Sequence, residues 1–83
     1  MTTLVEITPG QRARVQQILG SDVISLRLLE MGLTPGCELE FVGVAPFGDP
    51  IEIALRGYRL SLRKSEAARV EIQPLQRAPE SRP

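Results

Sequence analysis

Glycine and proline punctuate this chain so often that no regular element in it can be long. Turn residues fall at Pro9-Gly10, Gly20, Gly32, Thr34-Pro35-Gly36, Gly43, the run Pro46-Phe47-Gly48-Asp49-Pro50, Gly57 and Pro74. Such residues end helices and strands and make tight turns, so the fold class rests on the periodicity of the short stretches between them. Cys37, Leu39 and Phe41 alternate with Glu38 and Glu40; Ile51, Ile53 and Leu55 alternate with Glu52, Ala54 and Arg56; Tyr58, Leu60 and Leu62 alternate with Arg59, Ser61 and Arg63. Alternation with period two is the mark of a half-buried strand. Ala13, Val15 and Ile18, ending at Gly20, form an earlier and less regular strand, and Val70 with Ile72 a last one stopped by Pro74. At Gly43 the phase slips, with Val42 and Val44 taking the apolar places, as at a bulge or a bend.

One stretch does not alternate. From Val23 to Met31 the chain is rich in helix formers, with Ser21 or Asp22 available as an N-cap and Gly32 as a stop. At about 100° per residue, Ile24, Leu28 and Met31 fall on one line, Leu26, Leu29 and Leu33 on another, with Ser25 and Gly32 between. The apolar arc is therefore wide, and Arg27 and Glu30, three apart, share the narrow polar side and can pair. Lys64 to Ala68 reads as a single helical turn. Five short strands with one or two short helices give a mainly β (α+β) fold, a small closed or nearly closed barrel, since closure removes exposed strand edges.

The composition excludes more chemistry than it offers. An 83-residue chain with no internal break has room for one small core. There is no histidine, so neither a Ser-His-Asp nor a Cys-His arrangement can be built. The single cysteine, Cys37, cannot close an intrachain disulfide, which favours a reducing compartment, and it reads as a small apolar strand residue. Glu38, Glu40 and Glu52 are the remaining candidates for metal ligation, but alternate strand positions make them a solvated face rather than a converging oxygen cage. No P-loop or G-x-G-x-x-G run occurs. No catalytic residue, cofactor or metal site is expected. Residues 1–7 contain an acid and lack the basic leader and apolar core of a signal peptide, and nothing approaches the roughly 20 apolar residues of a membrane span. A cytoplasmic protein without membrane insertion is the expectation.

Three segments together carry a family resemblance. Arg27-Leu28-Leu29-Glu30-Met31-Gly32-Leu33-Thr34-Pro35-Gly36 resembles the FeoA pattern in which a helix ends in GL-x-PG and leads into a strand. Ala45-Pro46-Phe47-Gly48-Asp49-Pro50-Ile51 is similar to that family's AP-x-GDP hairpin loop. Gly57 with Leu60-Ser61-Leu62-Arg63-Lys64-Ser65-Glu66-Ala67 resembles its G-x-x-LSLRK-x-EA strand and turn. The three stand in the family's order and spacing, across nearly everything from Ile7 to Ile72. The resemblance implies an SH3-like barrel, a single domain over residues 1–75, while residues 76–83, polar with two prolines and little to bury, are expected to form a flexible tail. It also implies a cytosolic accessory role in bacterial ferrous iron uptake, with the membrane GTPase-transporter FeoB as partner and no catalytic residues.

Within that reading two surfaces are candidates for the partner. Leu28 and Met31 with Ile24, flanked by Arg27 and Glu30, form an exposed apolar patch if the helix presents that side, whereas a helix capping the barrel end would bury both apolar lines. Phe47 stands at a loop tip, where an exposed aromatic can anchor an interface. Asp49 beside it either contacts the partner or closes an Asx turn. Two other functions stay open: a stand-alone regulatory domain related to the C-terminal domain of metalloregulators, or a small RNA-binding barrel using Arg56, Arg59, Arg63 and Lys64. Ten basic against ten acidic residues and the lack of aromatic interleaving weigh against nucleic acid. Weak self-association is left open.

Overall fold

The computed structural model describes residues 2–75; the expected tail at 76–83 lies outside the described residues. In chain order the elements are β1 (Thr2–Thr3), a 3-10 turn (Leu4–Glu6), β2 (Arg12–Ile18), α1 (Val23–Glu30), β3 (Glu38–Val44), β4 (Ile51–Leu55), β5 (Tyr58–Leu62), α2 (Lys64–Ala67) and β6 (Val70–Leu75). The strands form one antiparallel sheet in the order β1-β6-β2-β3-β4-β5.

The expected alternation is what the sheet buries. Leu39 and Phe41 of β3, Ile51, Ile53 and Leu55 of β4, and Val70 and Ile72 of β6 all face the core. Two bulges curve the sheet. One lies between Phe41 and Gly43, where Phe41 faces Ile53 but Gly43 faces Glu52. The other lies between Val15 and Gln17, and it accounts for the irregular spacing of Ala13, Val15 and Ile18: an unpaired residue is absorbed before Ile18 turns back toward the core.

Two features differ from the sequence reading. β1 is too short to show any period; Thr2 and Thr3 become a strand only because Ile72 and Glu71 of β6 pair with them. β6 also continues through Pro74 to Leu75. β1 reaches only as far as Ile72, so at Pro74 β6 has a neighbour on the β2 side alone, and a locally exposed edge tolerates the missing N–H.

Among the described residues no ladder joins β5 back to β1. α2 follows β5 directly, the 3-10 turn follows β1 directly, and these two short pieces pack on each other, with Leu4 and Ala67 fully buried. The open edges are thus brought together by side-chain packing, which leaves a nearly closed form around one core.

Candidate functional site

The most informative surface is α1 and what flanks it. Its start is set by Asp22, whose Oδ1 accepts the Ser25 N–H at 3.1 Å, while Ser25 Oγ donates to the Asp22 carbonyl at 2.8 Å. Its end is a Schellman arrangement: the Leu33 N–H donates to the Leu28 carbonyl at 3.2 Å and the Gly32 N–H to the Leu29 carbonyl at 3.0 Å. Gly32 takes φ +108°, and a Cβ there would meet Tyr58 Oη at 2.0 Å. That hydroxyl donates to the Met31 carbonyl at 2.8 Å, tying β5 to the helix end. The positive φ favours glycine at position 32, and a Cβ there would displace the Tyr58 hydroxyl from its bond.

The helix is turned differently from the exposed patch expected at Leu28. Leu28 is fully buried and Ser25 nearly so, while Ile24 and Met31 are half-buried and packed against the core. The apolar side chains left in solvent are Val23 and Leu26, 79% and 56% exposed, with half-buried Leu29 beside them. Together with Gly20, Ser21, Asp22 and Ser25 they line a groove of about 540 Å³. The cause lies in Leu33: it sits beyond Gly32, where the positive φ breaks helical phase, so its burial does not turn Leu26 and Leu29 inward.

Arg27 does not pair with Glu30. It crosses to Glu66 of α2, a carboxylate whose Oε2 it contacts and whose Oε1 accepts the Arg63 N–H at 3.1 Å. Glu66 is almost buried, so it would be costly without these partners, and Glu30 has no ion-pair partner among the described residues. A second ion pair joins Asp22 to Arg69. The Arg69 guanidinium and the Ser25 N–H hold the Asp22 carboxyl well below the usual carboxylate range, and Asp22 in turn raises Arg69. Ile24, Arg27, Arg63, Ser65, Glu66 and Arg69 surround a cleft of about 380 Å³ between the two helices.

Phe47 is 99% exposed at the tip of the β3–β4 loop. The loop is held by the Gly48 N–H donating to the Ala45 carbonyl at 2.7 Å and the Ala45 N–H to the Pro50 carbonyl at 3.0 Å. The Asp49–Pro50 peptide is cis. Asp49 makes no Asx turn; its Oδ1 accepts the N–H of Lys64, the first residue of α2, at 3.0 Å.

The remaining sequence candidates are dispersed. Arg63 lines the α1–α2 cleft, Arg56 lies by Glu38 on another surface, and Arg59 pairs with Glu52 at 3.4 Å, so the basic group is not one patch. Arg14 bonds Glu38 and lowers its pKa, with Arg12 on the other oxygen. Among the described residues no three acidic or sulfur ligands converge on a metal position. Burial, with Glu38 adjacent, pushes the Cys37 thiol up, away from a reactive thiolate. No described helix is long and apolar enough to cross a membrane.

Comparison with known proteins adds the lineage. Residues 2–74 match the FeoA domain model. The Fe(2+) transport protein A/Fe(2+) transporter FeoB fusion protein of Porphyromonas gingivalis is 34% identical over 70 residues, 84% of this chain; the chain spans only 8% of that relative's length. The FeoA-like protein of Clostridium acetobutylicum is 36% identical with a TM-score of 0.83, covering 96% of each chain. Stenotrophomonas maltophilia FeoA, an SH3 domain protein whose crystal structure is a complex with zinc, is 33% identical with a TM-score of 0.80, covering 94% of this chain and 100% of that one. A match across residues 2–74, carried by a mostly β, SH3-like sheet with two short helices, means that this chain belongs to the FeoA family of ferrous iron transport.

Proposed function

We propose that this chain is a non-catalytic accessory domain that works in the cytoplasm by docking onto a FeoB-type GTPase-transporter and modulating its assembly or activity. The observation that carries this is the outer face of α1. Val23 and Leu26 hold apolar surface in water on a helix that is capped at both ends and held by two ion pairs. The backbone under such a face is already ordered, which lowers the entropic cost of binding, and covering it returns the hydrophobic free energy of its area. The fused relative supports the choice of partner, because a linker raises the effective concentration of a weakly binding pair to about the millimolar range. Phe47, on its tethered loop, is a second contact. Ile24 and Met31 act behind the face as packing, and Asp49 acts through the loop it holds.

The test is a calorimetric titration of the chain against the solubilised transporter, with and without a GTP analogue. Saturable binding that is lost in Leu26→Glu, at unchanged melting temperature, supports docking through α1. Full binding by that variant moves the interface elsewhere, and absence of binding by the wild-type chain refutes the proposal.

A further inference from the structure

The cleft between α1 and α2 carries charge that the described residues do not neutralise among themselves. Three guanidinium groups, Arg27, Arg63 and Arg69, line it against one carboxylate, Glu66. Both Glu66 oxygens are already engaged, one by Arg27 and one by the Arg63 backbone N–H. Arg69 is joined to Asp22 on the far rim. Arg63 has no carboxylate within ion-pair distance among the described residues. Each guanidinium has five donors, more than these contacts use, and the Arg27 side chain remains 55% exposed.

We infer that this cleft receives the carboxylates of an acidic, amphipathic segment of the docking partner, whose apolar residues cover Val23 and Leu26. The inference rests on the docking reading above and names the chemistry of the surface that α1 meets. Arg27 lies one helical turn beyond Val23 and beside Leu26, so a segment lying along the apolar face runs past Arg27 into the cleft. A segment with acidic residues three or four positions from its apolar ones matches both surfaces at once. Glu30, without an ion-pair partner among the described residues and on the same exposed side of α1, repels carboxylates there and sets the segment's orientation. Bidentate capture of a carboxylate by the planar guanidinium of Arg63 supplies the specificity.

The affinity of the whole chain for the solubilised transporter, at low and at high salt, separates the two readings. Arg63→Glu is expected to weaken binding about tenfold at low salt and to flatten the salt dependence. Leu26→Gln, which removes apolar surface without adding a charge beside Arg27, is expected to weaken binding at both salts while leaving the salt dependence as in the wild type. Should Arg63→Glu lower the melting temperature, Arg63→Gln removes the charge without adding another beside Glu66 and must show the same direction. Wild-type affinity and salt dependence in both Arg63 variants, with binding still lost in Leu26→Glu, overturns the acidic segment and leaves docking intact. Binding of a single-stranded RNA that is lost in Arg63→Glu, with transporter binding unchanged, assigns the cleft to RNA and likewise overturns it. No wild-type binding to the transporter removes both readings.

Discussion

Gly32 and Tyr58 meet at the end of α1, where a Cβ on residue 32 would strain the backbone and push the Tyr58 hydroxyl aside. With φ at +108° and a Cβ position 2.0 Å from Tyr58 Oη, Gly32→Ala is expected to destabilise by about 1–3 kcal/mol. Tyr58→Phe removes the clashing oxygen but also its bond to the Met31 carbonyl. The double variant is therefore expected to be more stable than the sum of the single losses, a coupling that chemical denaturation of all four proteins would read. Asp22 gives a second expectation at this scale. Its folded pKa lies below the ordinary 3.8, so its contribution to stability is complete above that pH and is lost as the pH falls through the folded value. Asp22→Asn should accordingly flatten the acid limb of melting temperature against pH below about 4 and lower stability at neutral pH, where the charged cap and the Arg69 pair are both missing. A parallel shift at every pH would show that the carboxylate charge has no part in it.

α1 as an element was legible at its ends and illegible around its axis. Asp22 and Gly32 are local signals, and the cap and stop they announce are both present. The buried side was not announced, because leucine, isoleucine, valine and methionine occur almost all round, so the helix has no strongly preferred face of its own. Selection among faces came from Leu28 entering the core and Arg27 reaching Glu66, a residue 39 positions away. The two leucines should therefore respond very differently: Leu28→Ala is expected to cost about 2–5 kcal/mol, while Leu26→Ala should remain within about 0.5 kcal/mol of wild type. Equal losses in thermal or chemical unfolding would mean that the helix sits in another orientation in solution. The loop carrying Phe47 was clearer, since a run of turn residues around one aromatic is a strong local pattern. Phe47→Ala should leave the melting temperature unchanged, given that almost none of the ring is buried.

For the molecule as a whole, the alternating segments, the bulge at Gly43, the helix α1 and the single turn of α2 could all be read along the chain, because each depends on neighbours a few residues apart. The two-residue strand β1, the passage of β6 through Pro74, the contact of α2 with the 3-10 turn that draws the sheet edges together, and the two ion pairs linking α1 to the α2–β6 corner could not. These join residues far apart in sequence, and which distant partners meet depends on the entropy of closing the intervening loops against the packing that closure permits. Most of the elements, and the family to which they belong, follow from patterns local along the chain. That Val23 and Leu26 rather than Leu28 face water, and that Arg27, Arg63 and Arg69 share one cleft, is settled by long-range packing, because the rotation of a nearly all-apolar helix is chosen by what the rest of the fold leaves open to it.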